Sequence, residues 1–299
     1  MGGGHWSSND YSSYRSANLA FSSDTASVKD VFRNQAVQDT HRTLNTIRES
    51  CDSDDHPQSR AIIFGLDVTG SMGRYAKDCA REHIPACLEM IYDGKCGFKH
   101  PHVLCAAIDD VISSPATALQ VTQFEADLRI IEQVRDLFIV GRGGGNYSES
   151  YDLLWWFAGH RTKIDCWEKR KTPGFLFSIG DESFPYNPVS SGDMEYVFGG
   201  QAGASTPEQS LTSAQQKYHV FHLLIEQGDF CRSPSQREQA RHDWTSALGN
   251  NVLFVREAKH IGEIICAAMR IAEGQDPASV IEGDELNYAF SNMLSGVES

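Results

Sequence analysis

The chain has 299 residues, of which 40% are apolar and 22% charged, and a formal net charge of −14. That composition suits a soluble globular protein with a sizeable core. The acidic balance argues against nucleic acid as the main partner and favours a cation or a basic surface. Residues 1–57 are rich in Ser, Gly, Asn and Asp and read as a flexible N-terminal arm. Within the arm, "TASVKDVFRNQAVQ" is expected to form a short helix with Thr25 or Ser27 as N-cap. The opening "MGGGHWSSNDYSSYRS" has no apolar h-region and reads as no secretory signal. No apolar run approaches the ~20 residues a membrane span needs. The eight cysteines contain no C-x-x-C pair and are expected to be small reduced core residues of a cytoplasmic protein.

From residue 58 strands and helices alternate. "AIIFGL" reads as a buried strand, and residues 74–92 follow at helical period, with Pro85 expected to kink or interrupt that helix. "HVLCAAI" is a second strand. "ALQVTQF" alternates like an edge strand and is expected to pair antiparallel with it across the short, turn-rich "DDVISSPAT". Next come the helices "ADLRIIEQVRDLFIV" and "ESYDLLWWFAGH", then the strand "FLFSIGD" and a long loop. The strand "HVFHLLI", a helix from Ser235 to Leu248, the strand "NVLFV" and a last helix holding Ile261, Ile264, Ile265 and Ala268 complete the series. Such alternation predicts an α/β fold: a doubly wound, mostly parallel sheet with helices on both faces and one antiparallel edge strand. The domain is expected to span residues 58–273, followed by an acidic C-terminal tail over 274–299.

Ligands of such sheets bind at the carboxyl ends of the strands. Three segments are predicted on that rim: "DVTGS", "GRGGGN" and "GDE". In the first, Asp67, Thr69 and Ser71 alternate, so their oxygens can face one point. One carboxylate and two hydroxyls are hard ligands of the kind Mg²⁺ takes. Other uses of these residues remain open. A strand-to-helix turn needs an N-cap, which Asp, Thr or Ser supplies. "TGSMG" also approaches a nucleophile elbow, with Ser71, Asp181 and a later histidine (His219, His222, His242 or His260) in hydrolase order. A phosphatase with an aspartyl nucleophile would prefer a second Asp at position 69.

"DVTGSMG" resembles the metal-ion-dependent adhesion site of von Willebrand factor A-like domains, whose pattern is D-x-S/T-x-S. In that family a Thr after a Gly-Gly pair and an Asp at the end of the fourth strand add ligands. Here "GGGN" puts Asn146 at the Thr position and "IGDE" puts Asp181 at the Asp position. The Asn146 amide oxygen can coordinate, but its side chain is longer than that of Thr, so it would shift the metal or bind through water, and Ser148 or Glu149 could compensate. The resemblance implies a site of Asp67, Thr69, Ser71, Asn146 and Asp181 holding Mg²⁺, or Mn²⁺ or Ca²⁺ in its place. It also implies binding in place of turnover, with an Asp or Glu of a protein partner completing the metal's shell. The layout around "IRESCDSDDHPQS", "LQVTQFE" and "GGGNYSESY" is similar to von Willebrand A-like proteins of tailed phages and bacteria. That similarity brings no established activity with it; the von Willebrand A-like resemblance implies an adaptor or assembly role in the cytoplasm (the host's, if phage-encoded), with an AAA+ ATPase or a phage assembly component as partner. A virion or assembly protein with a purely stabilising metal is the structural alternative. Met72, beside the metal loop, and the aromatics Phe184, Tyr186, Tyr196 and Phe198 of the segment after Asp181 are the expected partner contacts. Asp109 and Asp110, on the same rim, read as solvated turn residues, and Trp155 and Trp156 as core.

Overall fold

Alternate residues of a strand point to opposite faces, and here both faces are apolar. In β2 (Arg60–Asp67) every residue is buried. Ile62, Phe64 and Leu66 join one core, whereas Ala61 and Ile63 join another. This computed structural model describes residues 4–23, 25–70, 72–139, 149–200 and 202–295. The other strands are β1 (Arg48–Ser50), β3 (Pro101–Ile108), β4 (Leu119–Val121), β5 (Thr162–Ile164), β6 (Gly174–Gly180), β7 (Tyr218–Ile225) and β8 (Val252–Val255). Six form one sheet in the order β4-β3-β2-β6-β7-β8, parallel except for the antiparallel edge strand β4. The expected α/β architecture and its antiparallel edge are therefore present. A small parallel pair, β1 with β5, lies outside the sheet.

The helices divide between the two cores. Residues of the helices Ile84–Tyr92 and Ile261–Ala272 line the first, and those of Tyr151–His160 and Pro234–Leu248 line the second. Pro85 acts as expected. The helix begun at Gly73 widens into a π-turn, Cys79–His83, just before Pro85, whose ring and missing N–H interrupt the regular ladder; the Arg81 carbonyl of that turn accepts from Tyr11 Oη at 2.7 Å.

Both ends of the chain depart from expectation. The N-terminal segment carries the helix Ser8–Ala17 and a turn of helix, Val28–Val31, with Ser27 and Asp30 forming a capping box. Trp6, Tyr11, Phe21, Val31 and Phe32 are buried in the first core, so the segment is not a free arm. Arg135, itself buried, clasps it. Its guanidinium lies 4.7 Å from the Phe21 ring centre and donates to Tyr14 Oη (2.6 Å), Asn18 Oδ1 (2.9 Å) and the Val31 carbonyl (3.2 Å). The segment's composition is polar overall. Its few large side chains, however, meet apolar surface left open by helices more than 40 residues away, which a local reading of composition misses. The acidic tail is likewise folded back: Val280, Ile281, Ala289 and Phe290 are buried, and Tyr288 Oη donates to Glu226 Oε2 at 2.5 Å.

Arg135→Ala removes these bonds to a buried charge, worth about 1.5–3 kcal/mol where the partners stay buried. Trypsin cleavage at Arg15, Lys29 and Arg33 is then expected to accelerate about tenfold or more while the sheet stays folded. Unchanged cleavage rates at those three sites would show that the apolar contacts alone hold the segment.

Candidate functional site

β2 is the switch point of the sheet, because the chain runs outward through β3 to β4 and then crosses to β6, β7 and β8. The crevice of a doubly wound sheet opens at such a place. Asp67 ends β2, level with Ile108 of β3, and Leu66 is level with Ile179 of β6. Asp109 and Asp110 therefore leave β3, and Asp181 and Glu182 leave β6, on either side of Asp67. The helix Tyr151–His160 delivers Glu149 and Tyr151 to the same rim.

Asp67 is fully buried. Its Oδ1 accepts from Thr69 N (2.9 Å) and Thr69 Oγ1 (2.6 Å), and its Oδ2 accepts from Tyr151 Oη (2.9 Å). Burial and the neighbouring Asp181 push its carboxyl up to about 7, against the pull of those three hydrogen bonds. The Asp181 carboxylate is also fully buried and accepts from Phe230 N at 2.9 Å, and its carbonyl accepts from Cys231 Sγ. Two glycines allow this crowding. A Cβ on Gly180 would meet Tyr151 Oη at 1.9 Å, and one on Gly228 would meet Asp181 at 2.3 Å. Gly228→Ala is expected to destabilise the fold by about 1–3 kcal/mol through overpacking at Asp181. Gly203→Ala, where a Cβ meets nothing, is expected to stay within about 0.5 kcal/mol of wild type. Urea unfolding of the pair checks this, and equal midpoints would refute it.

Two further acids complete the rim. Burial, then Asp67, raises Glu149 to about 10. Burial, then Asp67 and Asp181, raises Glu182 to about 8. Every charge acting on Glu182 is another carboxylate, and one oxygen of each glutamate, Oε2, is buried without a hydrogen-bond partner. The other two acids are satisfied locally. Asp109 accepts from Asp110 N and Thr117 Oγ1, and Asp110 accepts from Ile112 N and Ser113 N. They are turn-forming residues, as expected, but both are buried and not solvated, because the rim closes over the strand end. Glu182 was not anticipated, although the "GDE" run carried the signal. A second acid directly after a strand-end aspartate lands on the same rim.

Of the expected metal set, the structure brings Asp67, Thr69 and Asp181 to one crevice, whereas Ser71 and Asn146 lie outside the described residues. Among the described residues, no group of three or more His, Cys, Asp and Glu side chains is arranged to hold a metal ion. The expected set has only two carboxylates, with the remainder neutral oxygens. What fits a cation here is the crowding of buried acids, whose protons a divalent ion would displace, and the two orphaned carboxyl oxygens. Asp67, Thr69 and Asp181 would hold it, with Glu149 and Glu182 close enough to contribute charge.

Of the five expected partner contacts, three belong to the interior. Met72 is fully buried. Phe184 stacks on Trp155 at 5.5 Å, and Phe198 stacks on Trp156 at 4.3 Å. The segment after Asp181 folds through the helices Ser191–Phe198 and Pro207–Gln215, and the first of these turns Phe198 inward and leaves Tyr196 outside. Tyr186 and Tyr196 stay more than half exposed. Behind the rim, His222 lies parallel on Trp244 at 3.4 Å, edge-on to Tyr151, with Nδ1 2.9 Å from Ser178 Oγ. Burial holds it neutral, well below the usual histidine range.

The fold and rim define a doubly wound α/β domain with an acidic crevice at its switch point. No protein-family model matches the chain, and no curated protein matches it. Solved structures do. The pilus adhesin SpaC from Lactobacillus rhamnosus GG aligns at a TM-score of 0.48 and 9% identity over 79% of this chain and 33% of its own. Proximal thread matrix protein 1 from the mussel byssus aligns at 0.43 and 10%, over 75% and 49%. An aerotolerance-related membrane protein from Bacteroides fragilis aligns at 0.40 and 11%, over 71% and 99%. The chain thus spans about a third of the adhesin's length and about half of the byssus protein's. No described helix is long and apolar enough to cross a membrane.

Proposed function

We propose that the chain is a von Willebrand A-like protein-binding domain whose crevice holds one divalent cation, Mg²⁺ by preference, and that a partner's Asp or Glu completes the metal's shell. One observation carries this reading. The carboxylates of Asp67 and Asp181 are fully buried side by side at the switch point, with Glu149 and Glu182 adding orphaned oxygens. Burying like charges together is costly unless a cation is shared among them. When bound, the cation supplies local positive charge on an acidic surface. The chain's own residues fix the ligands: Thr69 and Tyr151 hold the Asp67 carboxylate, and Phe230 N holds that of Asp181. Exposed Tyr186 and Tyr196 are the aromatic contacts left to meet a partner.

A second reading has its own support. Asp67, Thr69 and Asp181 are each no more than 1% exposed, which suits a metal that only stabilises the fold. Affinity capture from the native host, with EDTA or with Mg²⁺, separates the two. A partner retained in Mg²⁺, lost in EDTA and lost in Asp67→Ala supports adhesion. Mg²⁺ that stabilises the chain while captured partners ignore it supports the structural role. Labelling of Ser71 by a fluorophosphonate probe would move the function to hydrolysis.

A further inference from the structure

Far from the acidic rim, at the amino ends of the strands, two thiols meet. Cys96 sits in the turn between the helix Ile84–Tyr92 and β3, and Cys266 sits in the middle of the helix Ile261–Ala272. Their sulfurs are 2.7 Å apart, and both residues are almost fully buried. A disulfide bond is about 2.05 Å long, so the sulfurs need to close by only about 0.7 Å. Positions 170 apart in sequence have been placed in near-bonding contact.

The two thiols are not equivalent. The Cys96 S–H donates to Cys266, and that bond, with the nearby charges of Arg270 and Lys95, holds the Cys266 thiol below its ordinary value despite burial. Cys96 is shifted the other way, chiefly by the same bond. Cys266 also lines a cavity of about 480 Å³ together with Met90, His260, Glu263 and Arg270, which gives a small oxidant a path to it. Cys87, fully buried on the helix Ile84–Tyr92 that packs on the Cys266 helix, is a competing thiol to be excluded, and burial holds it protonated.

We propose that Cys96 and Cys266 are an oxidation site that a hydroperoxide converts to a disulfide, with Cys266 as the attacking sulfur and Cys96 as the resolving one. The Cys266 thiolate attacks the peroxide, an S–O bond forms, the O–O bond breaks, and the departing oxygen takes a proton. The Cys96 sulfur then attacks the Cys266 sulfenic acid; the S–S bond forms and water leaves. Two thiols lose two electrons and two protons, and one peroxide becomes two waters, or an alcohol and water. A dithiol reductant reverses the link. The link ties the turn before β3 to the helix Ile261–Ala272, stiffening the scaffold without touching the rim.

The test uses the full chain, treated with hydrogen peroxide, blocked with N-ethylmaleimide before denaturation, and digested with trypsin without reductant. Trypsin separates Cys87 (residues 82–95) from Cys96 (residues 96–99) and from Cys266 (residues 260–270). The expected product is residues 96–99 joined to 260–270, two hydrogens lighter than the sum and lost on adding dithiothreitol. A thermal midpoint several degrees higher should accompany it. In Cys96→Ser, dimedone is expected to trap the sulfenic acid on Cys266. Absence of the joined peptide at peroxide levels that oxidise Met90 would overturn the proposal. So would a product joining residues 82–95 to 260–270. Dimedone on Cys96 in Cys266→Ser, with none on Cys266 in Cys96→Ser, would reverse the assigned roles.

Discussion

In EDTA, the folded chain is expected to lose stability as pH rises from about 6.5 to about 8, and saturating Mg²⁺ is expected to remove most of that loss. The sign follows from the acids of the rim. Asp67, Glu182 and Glu149 are raised to about 7, about 8 and about 10. Between its unfolded and folded values each holds a proton in the native state that the unfolded chain has released. Stability then falls with rising pH, by about 1.4 kcal/mol per pH unit for each such proton. Buried histidines oppose this at lower pH. His41, His83, His102 and His222 are all depressed, which makes stability rise with pH, but that effect ends near their ordinary value of 6.5. The window above it belongs to the carboxylates. Asp152, raised to about 7 by burial, adds to the same slope and is expected to be indifferent to the metal. Mg²⁺ competes with protons for the rim, so its stabilising effect grows with pH and reaches about 2.7 kcal/mol at a hundredfold excess over Kd. Urea unfolding across this range, with EDTA or Mg²⁺, measures both slopes. Asp67→Asn should flatten the EDTA slope and abolish the Mg²⁺ effect. Identical curves with and without Mg²⁺ would remove the cation from the site.

Trp244→Ala is expected to be the most damaging core substitution near the site, costing about 3–5 kcal/mol. Trp244 is fully buried, lies flat on His222, and meets Tyr151, Trp155 and Phe184 edge-on. Its Nε1 donates to the Glu182 carbonyl at 2.8 Å, so it also anchors the backbone just after Asp181. Truncation leaves a cavity behind the rim and an unpaired carbonyl beside the acids. Trp244→Phe keeps most of the packing and loses the bond, and should cost about 1–3 kcal/mol. If the two variants unfold at the same urea concentration, the hydrogen bond accounts for the whole effect and the stacking for none. If Trp244→Phe matches wild type, Glu182 is held by other contacts.

The periodicity of "AIIFGL", "HVLCAAI", "FLFSIG" and "HVFHLLI" identified the parallel strands, because a strand covered on both faces is apolar at every position. The turn-rich "DDVISSPAT" made β4 antiparallel, since a connection that short cannot cross over. The oxygens of Asp67 and Thr69 and the strand-end Asp181 were readable for the same local reason: residues at a strand's carboxyl end must emerge on the ligand-binding rim. What lay beyond a local reading depended on partners distant in the chain. The sequence did not show Arg135 drawing Phe21 and Tyr14 onto the domain, Phe184 and Phe198 turning inward onto Trp155 and Trp156, or Tyr288 reaching Glu226. Nor did it show Cys96 meeting Cys266. The sequence by itself determined the layered sheet and the strand-end aspartates of the rim, because period and strand ends are properties of neighbouring residues. Only the tertiary structure decided which acids lose their solvent, which aromatics stay exposed and which thiols touch, because burial depends on what the rest of the chain brings alongside.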